Sequence, residues 1–187
     1  MPVTALDRRT ALVLLDLQEG IRAFAQGAAA DAVFQAAGAL AAAFRRHTLP
    51  VILVNVDAAA PGRTESPRRR LAFPPAALEF VAELDRQPGD LVVTKKSWGA
   101  FPTTDIEKQL RGLGVTQVVL GGISTTAAVE STARQAYEAG FNVTLALDAM
   151  MDMNAEAHAA TVKFTLPRLG ETGSADDIIA LLDRSRT

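Results

Sequence analysis

Three groups of residues in this chain have the types and spacing to do chemistry together. Asp16 follows the unbroken apolar run Ala11-Leu12-Val13-Leu14-Leu15, and Lys95 closes the run Leu91-Val92-Val93-Thr94. The third is Gly121-Gly122-Ile123-Ser124-Thr125-Thr126-Ala127-Ala128, a glycine-led turn between an apolar stretch and a helical one. A carboxyl just past an apolar strand is partly desolvated, which raises its pKa and suits it to general acid–base work. A nearby ammonium acts the other way and keeps it ionised. A lysine at a buried strand end needs an anionic partner or a substrate, because an unpaired ammonium there is costly. By strand alternation its neighbour Lys96 should face elsewhere and be solvated. The amides of the glycine turn open a helix, where partial positive charge favours an anion or a developing oxyanion. Plainer roles stand beside these: Asp16 as a cap, Lys95 in a structural ion pair, and Ser124, Thr125 and Thr126 as helix caps. Neither His47 nor His158 lies near these segments in sequence, so no Ser–His pairing is expected.

The elements that must position these groups alternate along the chain. Ala11–Leu15 and Val51–Val56 are continuous apolar runs, the pattern of strands covered on both faces. Between them Ala28–His47 carries apolar residues at helical spacing, and Leu49-Pro50 ends it. Residues 57 to 75 hold Gly62 and four prolines and read as a long loop. A helix over 76–85 is predicted to lead into the strand that ends at Lys95. A short helix over 105–113 follows, with Thr104 as cap and Gly114 at its C-terminus. Then come a strand over 115–120, a helix over 126–139 closed by Gly140, and a strand over 141–147 ending at Asp148. A helix over 155–165 precedes Pro167, and Ser174-Ala175-Asp176-Asp177 caps a last helix through Asp183. Alternation of this kind implies an α/β fold with a mostly parallel sheet between two helical layers. Ligands of such sheets bind at the carboxyl ends of the strands, near a topological switch point. Asp16, Lys95 and the turn all belong to that edge.

Composition sets the outer limits. The 187 residues are read as one domain spanning 1–187, with 49% hydrophobic and 21% charged residues, an ordinary globular balance. A formal net charge of −2 gives no reason to expect nucleic acid. Pro67-Arg68-Arg69-Arg70 is the only dense basic run and reads as a solvated loop or a local ion pair. No apolar stretch approaches a membrane span, Met1-Pro2-Val3-Thr4 carries no readable leader, and the expected compartment is the cytoplasm. The absence of cysteine removes disulfides and thiolate metal sites, and neither a metal nor a cofactor is expected.

At four places, in order, the chain resembles the isochorismatase-like (cysteine hydrolase) superfamily. Leu14-Leu15-Asp16-Leu17-Gln18 is similar to its opening strand with D-x-Q, and the segment from Thr94 to Asp105 to its K-x-x-x-s-A-F stretch and following helix. Gly122-Ile123-Ser124-Thr125-Thr126-Ala127-Ala128-Val129 resembles its G-x-x-T-x-x-C-V, and Asp148-Ala149 with His158 its D-A…H tail. The resemblance implies a six-stranded sheet and a non-proline cis peptide at Ile123–Ser124. It places Asp16 and Lys95 on two members of the family's Asp–Lys–Cys triad and Ala128 on the cysteine. Gln18, Ile123, Ser124 and Thr125 are the expected holders of a small-molecule substrate, joined by Trp98, three residues past Lys95, which either lines the pocket or simply packs, and the resemblance implies self-association as a dimer or tetramer.

The chain departs from that pattern twice. Without the thiol, thioester chemistry on amides is out of reach. Asn55-Val56-Asp57 is followed by no histidine before His158, so the Asp/His metal cluster of nicotinamidases is not matched. Family members with a small residue at the cysteine position include isochorismatases, in which an aspartic acid protonates a vinyl ether and no covalent intermediate forms. The reading that follows is a cysteine-independent hydrolase acting on a small vinyl ether or amide, with Asp16 as acid, Lys95 as its partner and the Ser124–Ala128 amides as an anion cradle. Arg63, Arg68, Arg69 and Arg70 are the expected anchors for an acidic substrate. Two alternatives stay open: an inactive member that binds a small molecule or joins an assembly, and an amidase whose cysteine has been replaced by Ala128.

Overall fold

The computed structural model describes residues 3–57, 59, 60, 62–65 and 73–185. Six strands form one sheet: β1 (Thr10–Leu15), β2 (Val51–Val56), β3 (Leu91–Lys95), β4 (Gln117–Ile123), β5 (Asn142–Met151) and β6 (Glu171–Gly173). Their order is β3-β2-β1-β4-β5-β6, and every neighbouring pair is parallel. Parallel strands need helical crossovers on both faces, so the central strands meet no water on either side. This is why β1, β2 and β4 are buried at every position.

Alternate residues of the same strands feed two separate cores. On one face Leu12, Leu14 and Leu53 pack under α2 (Ala28–Arg46) and α6 (Ala175–Ser185), through Phe34, Leu40, Phe44 and Ile178. On the other, Val13, Leu15 and Val54 pack under α3 (Ile106–Gly112) and α4 (Glu130–Glu138), through Leu110, Ala133 and Ala136. A three-layer α/β/α arrangement results. Two short helices complete the set at the rim, α1 (Glu19–Arg22) and α5 (Ala155–Ala160). No described helix is long and apolar enough to cross a membrane.

The structure differs from the predicted elements at several places. The helix expected over 76–85 is two 3-10 turns, Pro75–Leu78 and Ala82–Leu84. Phe80 between them makes an antiparallel bridge to Gln18, and the Val81 amide donates to the Leu17 carbonyl, 3.2 Å. Pairing with the chain leaving β1 thus overrides helical propensity. Strand β5 runs on through Asp148 to Met151, accommodating an irregularity against β4 between Leu120 and Gly122. Short β6 lies between Pro167 and Ser174, where no element was assigned from the sequence.

Candidate active site

The strand order reverses between β1 and β4, and both strands end at the site. Leu15 of β1 is in register with Gly122 of β4, and a Cβ on Gly122 would stand 2.1 Å from the Leu15 carbonyl oxygen. Gly122 also has φ +139°, so only glycine allows this approach. Just past this register the chain leaves each strand. Asp16 adopts the left-handed conformation, φ 59°, which aspartate tolerates better than most residues, and its amide donates to the Val54 carbonyl, 2.8 Å. On β4 the Ile123–Ser124 peptide is cis, and Thr125–Val129 forms one π-helical turn before α4 begins.

Lys95 comes from two strands away, about 10 Å along the sheet. Its Nζ nevertheless lies 2.7 Å from Asp16 Oδ2 and donates a second bond, 3.0 Å, to the Ser97 carbonyl. Both side chains are almost wholly buried, with 1% of Lys95 and 7% of Asp16 exposed. The other carboxyl oxygen, Oδ1, is buried and has no hydrogen-bond partner among the described residues. An ionised carboxylate would leave that oxygen unsolvated, so the site favours the protonated form. Burial pushes the Asp16 carboxyl up from 3.8 to about 6, against the opposing charge and hydrogen bond of Lys95. Lys96, as alternation requires, is exposed.

Asp16 and Lys95 line a cavity of about 290 Å³ whose wall also includes Ile123, Ser124, Ala127 and Ala128. The Ala128 methyl, 2% exposed, therefore shares a wall with the acid and the amine. Trp98 and Ser97 contribute from the chain after β3, and Val56 from the end of β2. The cavity thus brings together all three groups singled out in the sequence.

Two residues expected to hold substrate are engaged elsewhere. Gln18 is buried, its amide nitrogen donating to the carbonyls of Val56 and Ala77 and its oxygen accepting from the Val56 amide, 2.7 Å. It ties the end of β2 to the chain around residue 77. Thr125 is also fully buried, and its hydroxyl meets His158 Nδ1 at 2.9 Å, behind the cavity wall. The anion cradle is smaller than expected, because the Thr126 amide donates to Asp152 Oδ2, 2.9 Å. Of the expected basic anchors, Arg63 is exposed and does not line the cavity, while Arg68, Arg69 and Arg70 lie outside the described residues.

Other contributors had no signal in the sequence. Phe24 and Ile21, from α1 and just after it, line the cavity, as does Met153 just past β5. Asp152 supports the turn from outside the cavity, accepting the Thr126 hydroxyl at 2.6 Å and the Asn154 amide at 3.1 Å. Burial alone would raise its carboxyl, but these bonds, with the Thr126 amide and the Ser124 hydroxyl, hold it below the ordinary value. Asp148 is remote from this chemistry and caps α6 through the Ala175 amide, 2.7 Å.

An all-parallel six-stranded sheet between two helical layers, with an acid–lysine pair at its switch point, defines a three-layer α/β class of protein. Residues 10–177 match the isochorismatase domain, and the chain belongs to that family of hydrolases. It is 42% identical over 182 residues to the uncharacterised isochorismatase family protein YecD of Escherichia coli O157:H7, covering 94% of this chain and 97% of that protein. An isochorismatase family protein from Burkholderia thailandensis superposes with a TM-score of 0.91 at 38% identity, over 96% of this chain and 98% of that one. N-carbamoylsarcosine amidase from Thermoplasma acidophilum shares the fold, with a TM-score of 0.72 at 23% identity over 90% of this chain and 97% of that chain.

Proposed function

We propose that this hydrolase cleaves a small vinyl ether by acid catalysis, with Asp16 as proton donor and no covalent enzyme intermediate. The observation that carries the reading is the Asp16–Lys95 pair: a buried acid with one oxygen on an ammonium and the other without a partner among the described residues, beside a methyl where a nucleophile would stand. The Asp16 proton passes to the terminal carbon of the enol ether, whose π electrons form the new C–H bond. The carbon bearing the ether oxygen becomes an oxocarbenium ion. Water adds to it, and the proton that water sheds restores Asp16. The resulting hemiacetal or hemiketal collapses with C–O cleavage to a carbonyl compound and an alcohol.

Burial and Lys95 divide the work on Asp16. Burial raises the protonated fraction of Asp16 near neutral pH, while the ammonium stabilises the carboxylate left after proton transfer and so makes the acid stronger. Proton transfer turns a lone buried ammonium into an ion pair, so the site is better matched to the transition state than to the resting state. The test is hydrolysis of simple vinyl ethers by the wild type and Asp16→Asn. Turnover that disappears in Asp16→Asn supports the reading. Equal turnover in both, or none in the wild type across vinyl ethers of differing bulk, overturns it.

A further inference from the structure

At the other edge of the sheet, where the strands begin, a cavity of about 540 Å³ opens between the start of β1, the chain joining α2 to β2 and the chain joining α3 to β4. Among the described residues no carboxylate lines it, on a chain whose formal net charge is −2. Three of its lining residues hold donors in place at some cost. The Arg9 guanidinium is seated in advance. A Cβ on Gly114, at φ +68°, would stand 2.9 Å from its Nη1, which donates to the Leu113 carbonyl, 3.1 Å. That bond occupies one of the N–H groups in the fork. Thr10, the first residue of β1, is fully buried, and its hydroxyl has no hydrogen-bond partner among the described residues. Such a hydroxyl destabilises the fold unless something else bonds to it. Thr48 stands just past the C-cap of α2, its amide donating to the Arg45 carbonyl and the Leu49 amide to the Phe44 carbonyl, both 2.9 Å. This is the glycine position of a Schellman turn, and at φ 55° a β-branched residue holds it only with strain. The strain keeps a hydroxyl-bearing side chain at the cavity wall.

We infer that this cavity binds a small organic phosphate, with its phosphoryl oxygens on Arg9, Thr10 and Thr48 and its organic group against Leu49, Leu113 and Val115. A phosphate presents three acceptor oxygens and close to two negative charges at neutral pH, enough for a guanidinium fork and two hydroxyls together. A carboxylate has only two oxygens and one charge. Leu113, 43% exposed, supplies apolar wall for the organic group. His47 also lines the cavity, but its Nε2 lies 2.6 Å from Asp183 Oδ1, which Arg46 meets at 3.4 Å. Its ring is therefore wall rather than ligand donor. Asp16 follows the far end of β1, about 20 Å from Thr10, so the phosphate site is separate from the catalytic cavity.

Isothermal titration of the full chain with phenyl phosphate tests the site. We expect saturable one-to-one binding, with inorganic phosphate, which lacks the ring, and benzoate, which lacks the phosphate, each about tenfold weaker. Arg9→Gln should weaken phenyl phosphate about tenfold, and Thr10→Val, which keeps the shape and removes the hydroxyl, about fivefold. Thermal unfolding gives a second readout. Without ligand, Thr10→Val should melt no lower than the wild type, because the hydroxyl it removes has no partner among the described residues, yet it should gain less from added phenyl phosphate. A Thr10→Val protein that melts lower and gains as much as the wild type would make Thr10 merely structural and overturn the inference. Absent binding, equal binding of benzoate, or unchanged affinity in either variant also overturns it. So does binding that is lost in Lys95→Met and kept in Arg9→Gln, which would put phenyl phosphate in the catalytic cavity.

Discussion

If Asp16 is the proton donor, kcat/KM for a vinyl ether must follow the fraction of enzyme in which that carboxyl is protonated. With its pKa at about 6, half of the molecules carry the acid at pH 6, about a tenth at pH 7 and about a hundredth at pH 8. A solvated carboxyl at 3.8 would be protonated in only about one molecule in 1,600 at pH 7, so burial multiplies the acid form about 150-fold. The rate should therefore be flat below about pH 5.5 and fall tenfold per pH unit above about pH 6.5. Lys95 supplies the second half of the test. Lys95→Met keeps the length and apolar stem but removes the charge 2.7 Å from Asp16. An adjacent cation typically lowers a carboxyl by about 1–3 units, so the falling limb should move up in pH by about that amount. The plateau should drop at the same time, because the acid has become weaker. Initial rates with benzyl vinyl ether between pH 4.5 and 9 for the two proteins decide it. A limb that stays in place, or moves to lower pH, in Lys95→Met refutes the assignment of the titration to Asp16.

Other outcomes follow from the same geometry. The folded-state rise of Asp16 from 3.8 to about 6 means that its contribution to stability is present below pH 3.8 and lost as pH rises to about 6; the loss is about 3 kcal/mol, and urea unfolding should show it as a steeper decline in the wild type than in Asp16→Asn. Ala128→Cys puts the chain's sole thiol beside Lys95, which should lower its pKa below the usual 8.5, so iodoacetamide should label one site at neutral pH and a small bound ether should block it. Gly122→Ala forces a Cβ against the Leu15 carbonyl at positive φ and should cost more than about 2 kcal/mol in denaturant unfolding.

The fold was largely legible because parallel strands buried on both faces have few sequence solutions. Ala11–Leu15 and Val51–Val56 are apolar throughout, and the strands occupy Thr10–Leu15 and Val51–Val56. Where burial is shared with a partner across the sheet, the local pattern gave less. The run 171–173 is too short to show alternation, and β5 extends past Asp148 because β4 offers it a partner there. The segment after Pro75 has helical composition but pairs with the chain leaving β1, a long-range contact no local window contains. The site divides along the same line. Asp16, Lys95 and the turn lie at strand ends, which the alternation of elements already locates. Phe24, Met153 and Asp152 stand on short connections whose place depends on how three loops close over one rim.

Asp152 shows what such a connection contributes, and it offers a separable test. Its carboxylate takes the amide and hydroxyl of Thr126 and so fixes the turn that carries Ala127 and Ala128 into the cavity wall. Its carboxyl is held below 3.8, so this support is present at neutral pH and is lost as pH falls through the lowered value. Asp152→Ala should release the turn, lowering kcat about tenfold or more while the falling limb set by Asp16 stays where it is. Asp152→Asn keeps an oxygen that can accept from the Thr126 amide, so it should recover most of the rate. If the residue instead acted through its charge on Asp16, the two variants would shift the pH limb alike and the asparagine would rescue nothing. The two proposals are thus told apart by a pH profile rather than by the size of the defect.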